Sequence, residues 1–258
     1  MVERLRSVPG EPVDQALAAL AARVTRPGAA ESERVQVLDV GGGSGTRAVP
    51  LARQGCAVTV IDSSANALAI LHRRAQDAGV AALVVGIQAD ADRLDTVIEP
   101  GSVDLVLCHH LLEEVDDPAA VLAGVVGAVR PGGAVSVLVA GRLGAVVRQA
   151  LAGRFDQARQ MLDDADGRAG AADPLRRRLN VDQVGVMMEA VGLTVESVTG
   201  VGVLTGLVSG AVRQSVPGNE AELTALEAAA AVHPELLRIA SDLHVVARRP
   251  EAAGPAVE

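Results

Sequence analysis

Short apolar runs alternate with longer, mixed segments along most of this chain. Val35–Val40, Val58–Ile61, Leu83–Ile87, Val103–Leu107 and Ala134–Ala140 are each compact enough and rich enough in valine and leucine to read as buried strands. Between them, Thr46–Gln54, a stretch running from a Ser63 or Ser64 cap to Ala78, and Asp117–Val129 read as helices. The last opens with an aspartate cap followed by proline, whose missing N–H costs nothing at the first helical position. Arg130-Pro-Gly-Gly133 reads as a turn. Upstream, Val13, Leu17, Leu20 and Val24 mark one face of a helix over 12–24, which Pro27-Gly28 and a short acidic stretch end. Downstream, 142–180 loses the strand rhythm and becomes helical and polar. Val181–Ala190 follows as a helix, and Leu193–Val203 and Leu243–Arg248 as strands.

Strands alternating with helices predict an α/β fold, a doubly wound, mostly parallel seven-stranded sheet with a helical insertion before the last strands. The divisions are a helical segment at 1–34, a nucleotide-binding core at 35–141, an Arg-rich insertion or lid at 142–180, a C-terminal completion of the sheet at 181–250 and a loose tail at 251–258. With 258 residues, 49% of them hydrophobic, one sizeable core is within reach. No segment approaches the ~20 apolar residues of a membrane span, and Met1–Ser7 has no apolar signal core.

Charge changes this picture in one place. All 23 basic residues are arginine, the net charge is −9, and Phe155 is the one aromatic residue. A reader of single-stranded nucleic acid ordinarily offers several aromatic platforms and a basic surface, and the chain as a whole offers neither. Residues 142–178 are the exception, with Arg142, Arg148, Arg154, Arg159, Arg168 and Arg176–Arg178 against five aspartates. Cys56 and Cys108 stand far apart without metal-ligand spacing, as do His72, His233 and His244, so no metal is expected; unpaired thiols suit a cytoplasmic protein.

The chemistry concentrates at the ends of the first strands. Asp39-Val-Gly-Gly-Gly-Ser-Gly45 follows an apolar strand and precedes a helix, and the second strand ends on Asp62. Glycines at such a turn let the backbone approach a ligand, and a carboxylate at the next strand end suits ribose hydroxyls. A dinucleotide loop requires glycine at the sixth position from Gly41, where Thr46 stands. The D-x-G-x-G-x-G run instead resembles the first motif of class I S-adenosylmethionine-dependent methyltransferases, with their Rossmann-like fold. The resemblance implies S-adenosyl-L-methionine as cofactor, met by Asp39, Gly41, Gly42, Gly43, Gly45, Asp62 and Ser63, with Asp90 and Ala91 at the adenine. Cys108-His-His-Leu-Leu-Glu-Glu-Val-Asp-Asp-Pro118 and Arg130-Pro-Gly-Gly133 are similar to the family's later motifs, which places Cys108 and His109 at the cofactor's methionine end. His109 then serves either as a general base or as a hydrogen-bonded wall.

Within that family the run after the fourth strand, Ala152-Gly-Arg-Phe-Asp156 and His244–Pro250 resemble bacterial tRNA 5-carboxymethoxyuridine methyltransferases. The chain departs from them at 1–30, which lacks lysine, at Thr199–Gly206, which lacks charged and aromatic side chains, and at Asp163–Asp166, where lysines are expected. The reading is thus a methyltransferase acting on a small-molecule acceptor, with a tRNA wobble uridine as the alternative acceptor and a non-catalytic cofactor-binding protein as the other alternative. A carboxylate acceptor is ionised already and needs an orienting arginine; a phenol or amine needs a base.

Overall fold

The computed structural model describes residues 11–24, 34–214 and 218–251. Seven strands form one sheet in the order β3-β2-β1-β4-β5-β7-β6. In chain order these are β1 (Gln36–Val40), β2 (Ala57–Asp62), β3 (Val84–Gln88), β4 (Val103–His109), β5 (Val129–Ala140), β6 (Thr194–Val201) and β7 (Asp242–Arg248). The first five pair in parallel, and β7 lies antiparallel to both β5 and β6. The expected doubly wound, mostly parallel sheet is therefore present, closed by an antiparallel hairpin.

Helices cover both faces. On one face α1 (Glu11–Arg23), α2 (Ala48–Arg53) and α3 (Ala65–Asp77) pack through Val13, Leu17, Leu51 and Leu71 onto Val37, Val58, Leu105, Leu107 and Leu138. On the other, α4 (Pro118–Ala128) and α7 (Val181–Ala190) bury Leu122, Val125, Val184 and Met188 against Leu38, Val106 and Val137. Side-chain alternation along β1 and β4 divides the strands between the two cores, as period-two geometry requires. Ser64 caps α3 through Ala67 N–H, and Asp117 caps α4 through Ala119 and Ala120.

Two expectations are corrected. Arg130–Gly133 is no separate turn between helix and strand: β5 already begins at Val129, opposite Val103, and the register then jumps to Leu105–Ala134. Gly132 at φ +72° and the contact of Gly133 with the Asp104 carbonyl make this a bulge within one strand. Residues 204–241, where no element was predicted, hold α8 (Gly210–Gln214) and α9 (Asn219–Val232). The latter is alanine-rich, with Ala230 its one fully buried side chain, so it shows no apolar stripe for a pattern to reveal. The Pro27-Gly28 break and the tail beyond 251 lie outside the described residues.

The insertion is helical as α5 (Arg142–Leu151) and α6 (Phe155–Asp163), then runs irregularly to α7. Its two ends are laced together, because Leu179 N–H donates to the Ala140 carbonyl at 3.0 Å and Arg142 N–H to the Leu179 carbonyl at 2.9 Å. Arginines do the remaining work. Arg142 donates to the carbonyls of Met161 and Leu162 in the last turn of α6 and of Asp164 and Ala165 just past it. Arg178 pairs with Asp173 at 2.7 Å, and Arg177 reaches out of the insertion to the carbonyls of Leu112, Val115 and Asp116 after β4. Arg177→Ala is expected to lose about 2–3 kcal/mol of stability, since charged hydrogen bonds vanish and carbonyls are left unmet. Denaturant melts would measure the loss, and faster amide exchange over both 112–116 and 164–180 would show that the two segments had separated.

Candidate functional site

Strand order reverses at β1, so the crevice between the ends of β1 and β4 faces solvent at the carboxyl edge of the sheet. The glycine loop sits there. Gly41, Gly43 and Gly45 adopt φ of +72°, +56° and +75°, a region L side chains rarely enter. Gly42 does not share this positive φ but is hemmed in: a Cβ would lie 2.4 Å from the Asp39 carboxylate. At Gly45 a Cβ would lie 2.2 Å from Leu71 Cδ1, which packs the loop onto α3. Around Gly43, by contrast, a Cβ would meet nothing nearer than Asp62 Oδ2 at 3.7 Å, so the loop is open toward the crevice.

The structure brings the loop and the acid of β2 together. Gly43 N–H donates to Asp62 Oδ2 at 2.9 Å and Ser64 N–H to Oδ1 at 2.8 Å, which fixes the carboxylate at the crevice rim. Arg74 steadies the loop from α3 through Ser44 and Thr46. Ser63 lies exposed beside Asp62, and its carbonyl accepts from Gln88 at the end of β3. Asp90 is exposed and Ala91 half-buried, next along the same edge. Asp62 thus presents a fixed carboxylate able to accept from hydroxyl donors at this edge.

Asp39 lies beneath the loop, 2% exposed, with Oδ2 meeting no partner. Burial raises its pKa to about 7, against a lowering pull from Arg47 and a further push from Asp62. An orphaned buried carboxylate below a glycine cradle is the structural feature that suits a cationic group on the ligand. Cys108 lies opposite Val40 on the neighbouring strand; its thiol is fully buried on the α4 face, and burial raises its pKa. Any part it takes is through its backbone.

His109 stands at the crevice, but both ring nitrogens are engaged. Arg47 Nε–H donates to Nδ1 at 3.0 Å, so the ring proton is on Nε2, which donates to Ser136 Oγ at 2.9 Å. The serine hydroxyl is then left to donate to His244 Nε2 at 2.7 Å. Arg47 also pairs with Asp14 of α1, so the relay runs from the N-terminal helix across β4, β5 and β7. Burial, then the Arg47 charge, holds His109 well below its ordinary value, and the same causes lower His244 to about 4. Nothing in the sequence signalled Ser136, since a lone serine in an apolar strand has no motif. His110, at φ +53°, turns away and bonds Glu113 at 2.9 Å; that carboxylate also accepts Ala140 N–H.

Comparison with known proteins agrees with this geometry. Residues 38–137, from β1 into β5, match a family model described as a methyltransferase domain. The chain is 31% identical over 175 residues to tRNA 5-carboxymethoxyuridine methyltransferase of Escherichia coli K12. Residues 38–137 are thus a methyltransferase domain. That alignment takes in 66% of this chain and spans 63% of the E. coli protein. A ubiquinone biosynthesis O-methyltransferase of Cupriavidus pinatubonensis is 39% identical over 102 residues, 40% of each chain. Among solved structures, the [4+2]-cyclase SpnF superposes with a TM-score of 0.60 at 20% identity, covering 97% of this chain and 85% of that one. This fold is thus shared with a protein described as a cyclase, and the fold by itself does not assign the reaction.

Among the described residues no His, Cys, Asp or Glu cluster could hold a metal, and no helix is long and apolar enough to cross a membrane.

The buried carboxyl makes stability depend on pH. Folding favours the proton on Asp39, so its contribution is full below the ordinary range near 4 and is lost as pH rises through about 7. His244 works in the other direction, contributing fully above 6.5 and less as pH falls through about 4. Asp39→Asn isolates the first effect. The variant is expected to gain about 2–4 kcal/mol on wild type between pH 4 and pH 8, as chemical melts of both proteins at the two pH values would measure.

Proposed function

We propose that this chain transfers a methyl group from S-adenosyl-L-methionine to a small-molecule acceptor in the cytoplasm. The observation that carries the cofactor is the Gly43–Asp62 contact, which joins a glycine-rich loop to a fixed carboxylate on the crevice rim. On this reading Asp62 accepts the ribose hydroxyls, Ser63, Asp90 and Ala91 flank the adenine, and the loop from Gly41 to Gly45 receives the amino-acid end. Asp39 balances the positive charge there. The sulfonium, when bound, supplies the methyl group and a good leaving group. The protein's part is to hold the acceptor in line at about 3–3.5 Å and keep water out.

His109 is read as a positioning residue. Its Nδ1 lone pair is taken by Arg47 and its Nε2 proton by Ser136, so it shapes the wall by the methionine end without a free site for an acceptor proton. Two buried free thiols suit a reducing cytoplasm.

A small acceptor is favoured by what the insertion does with its arginines. Arg142, Arg177 and Arg178 turn inward onto carbonyls and Asp173, and Arg176 pairs with Asp116. Four of the eight arginines of 142–178 are thus committed within the protein, on a chain of net charge −9. The second reading, a tRNA wobble uridine, is favoured by the E. coli relative's name. It requires salt-dependent tRNA binding.

Calorimetry of S-adenosylhomocysteine binding tests the cofactor site. Asp62→Ala is expected to weaken binding at least about tenfold (~1.4 kcal/mol), and a wild type that binds neither S-adenosylmethionine nor its product would overturn the reading. His109→Asn, which keeps a donor and an acceptor, is expected to retain most of the product formed from radiolabelled cofactor. Loss of at least a hundredfold with an unchanged melting curve would restore His109 as a base.

A further inference from the structure

Both nitrogens of His109 are occupied, whereas its neighbour in the chain keeps one free. His110 follows β4 directly, and among the described residues it is the one non-glycine residue at positive φ, +53°. Histidine enters that region only under constraint, and residues so held cluster at functional sites. The constraint here is visible. His110 N–H donates to the Leu138 carbonyl of β5 at 2.7 Å, and Nδ1 lies 2.9 Å from Glu113 Oε1. Further along β5, Ala140 N–H donates to that same oxygen at 3.1 Å, while the Glu113 carbonyl accepts from Arg176 N–H at 3.0 Å. The end of β5 and the insertion thus fix both members of the pair.

A histidine bound through Nδ1–H to a carboxylate presents Nε2 as a lone pair. The ring is 39% exposed, and Nε2 has no partner among the described residues. Glu113 is 2% exposed and its other oxygen meets no partner, so a proton gained by the ring would offset its charge. Asp242, at the start of β7, adds a second negative charge and Arg47 an opposing positive one; Arg148 acts on Asp242, and His109 is held neutral. Burial pulls the His110 pKa down, but the bond and charge of Glu113, with Asp242, carry it above the ordinary 6.5. The imidazole is therefore a strong base for its type, freed as pH rises through that raised value.

Its place in the chain is beside the glycine loop. On one side His109 accepts from Arg47, just beyond Gly45. On the other, Leu111 lies so close to Gly41 that a Cβ there would stand 3.1 Å from its Cδ1. Between these two contacts His110 leaves β4 at the mouth of the crevice.

We propose that His110 Nε2, with Glu113 as its positioning residue, is the proton acceptor for a methyl acceptor of the phenol type. The O–H bond of that group breaks, its electron pair stays on oxygen, and the proton goes to Nε2, leaving an imidazolium against the Glu113 carboxylate. The oxygen is then the nucleophile of the transfer proposed above, and the positive charge lost by the methyl donor reappears as the proton on His110. Phenol acidity, at about 10, is within reach of an imidazole titrating near neutrality. A carboxylate acceptor would arrive ionised and leave this base unused. The inference deepens the methyltransferase reading and rests on it for the fate of the oxygen, while the proton transfer is testable by itself.

para-Nitrophenol changes colour on ionisation and serves as the probe, with and without saturating S-adenosylhomocysteine. Bound to wild type it is expected to ionise at least about tenfold more readily than bound to His110→Gly (~1.4 kcal/mol). Glycine accepts the positive φ, so the melting curve of that variant should stay close to wild type. Imidazole added to His110→Gly should restore part of the difference. In wild type alone, heteronuclear NMR of the His110 ring is expected to show the proton on Nδ1, a bare Nε2 and a titration above pH 6.5, which Glu113→Gln moves to lower pH. Equal ionisation in the two proteins, no binding of the probe by wild type, a neutral ring protonated on Nε2, or a titration unmoved by Glu113→Gln overturns the proposal. If the probe ionises on wild type while S-adenosylhomocysteine fails to bind, the base stands and the methyltransferase reading falls. If S-adenosylhomocysteine binds and ionisation is equal, the base alone falls.

Discussion

Parallel pairing of β1 with β2 on one side and β4 on the other is the constraint on which the site depends. Both pairings bring strand carboxyl ends to one edge, so Val40, Ile61 and Cys108 finish level with one another. Chain leaving β1 must turn over that edge while the crossovers on either side run away from it. The result is a gap across which the loop folds, with Gly41 N–H on the Ile61 carbonyl and Gly43 N–H on Asp62. Glycine is demanded there for two separate reasons: positive φ at Gly41, Gly43 and Gly45, and close approach at Gly42 and Gly45. The Asp62 carboxylate meets Gly43 because β2 is one strand away and ends at the same height.

The insertion shows how one residue type can serve opposed ends. With no lysine in the chain, every cationic role falls to arginine, and a guanidinium offers five donors in a rigid fork. That geometry suits groups of backbone carbonyls at frayed helix ends, and Arg142 and Arg177 are used in this way. A segment that is basic in composition is therefore much less basic in surface. Arg177 also joins the insertion to the loop after β4.

The polar relay from Asp14 through Arg47, His109 and Ser136 to His244 crosses an otherwise apolar core. Each member is satisfied only if the next is in place, and its low-dielectric surroundings make that requirement strict. It ties α1, the start of α2 and the antiparallel strand β7 to the end of β4. Neutral histidines are what the burial and the Arg47 charge select, which is why both rings sit below their ordinary pKa.

Much of this was legible in the chain alone. Apolar runs near residues 37, 58, 85, 105 and 137 named the parallel strands because a strand covered on both faces tolerates little else. The loop from Asp39 to Gly45 and the acid at 62 were legible because positive φ and close approach restrict residue type at each position. Boundaries and absences were less so. The bulge at Arg130–Gly133 depends on which residues Val103 and Leu105 face, and α9 hides because alanine carries no stripe. Above all, the chain could not say what its charges do. Composition counts eight arginines between 142 and 178; only packing decides that three turn inward and one pairs with Asp116. The same holds for His109, whose two nitrogens are filled by Arg47 and Ser136, residues 62 and 27 positions away. Local constraints on the backbone are written in sequence because they act residue by residue. The pairing of side chains is a property of the closed sheet, and it exists once distant strands have met.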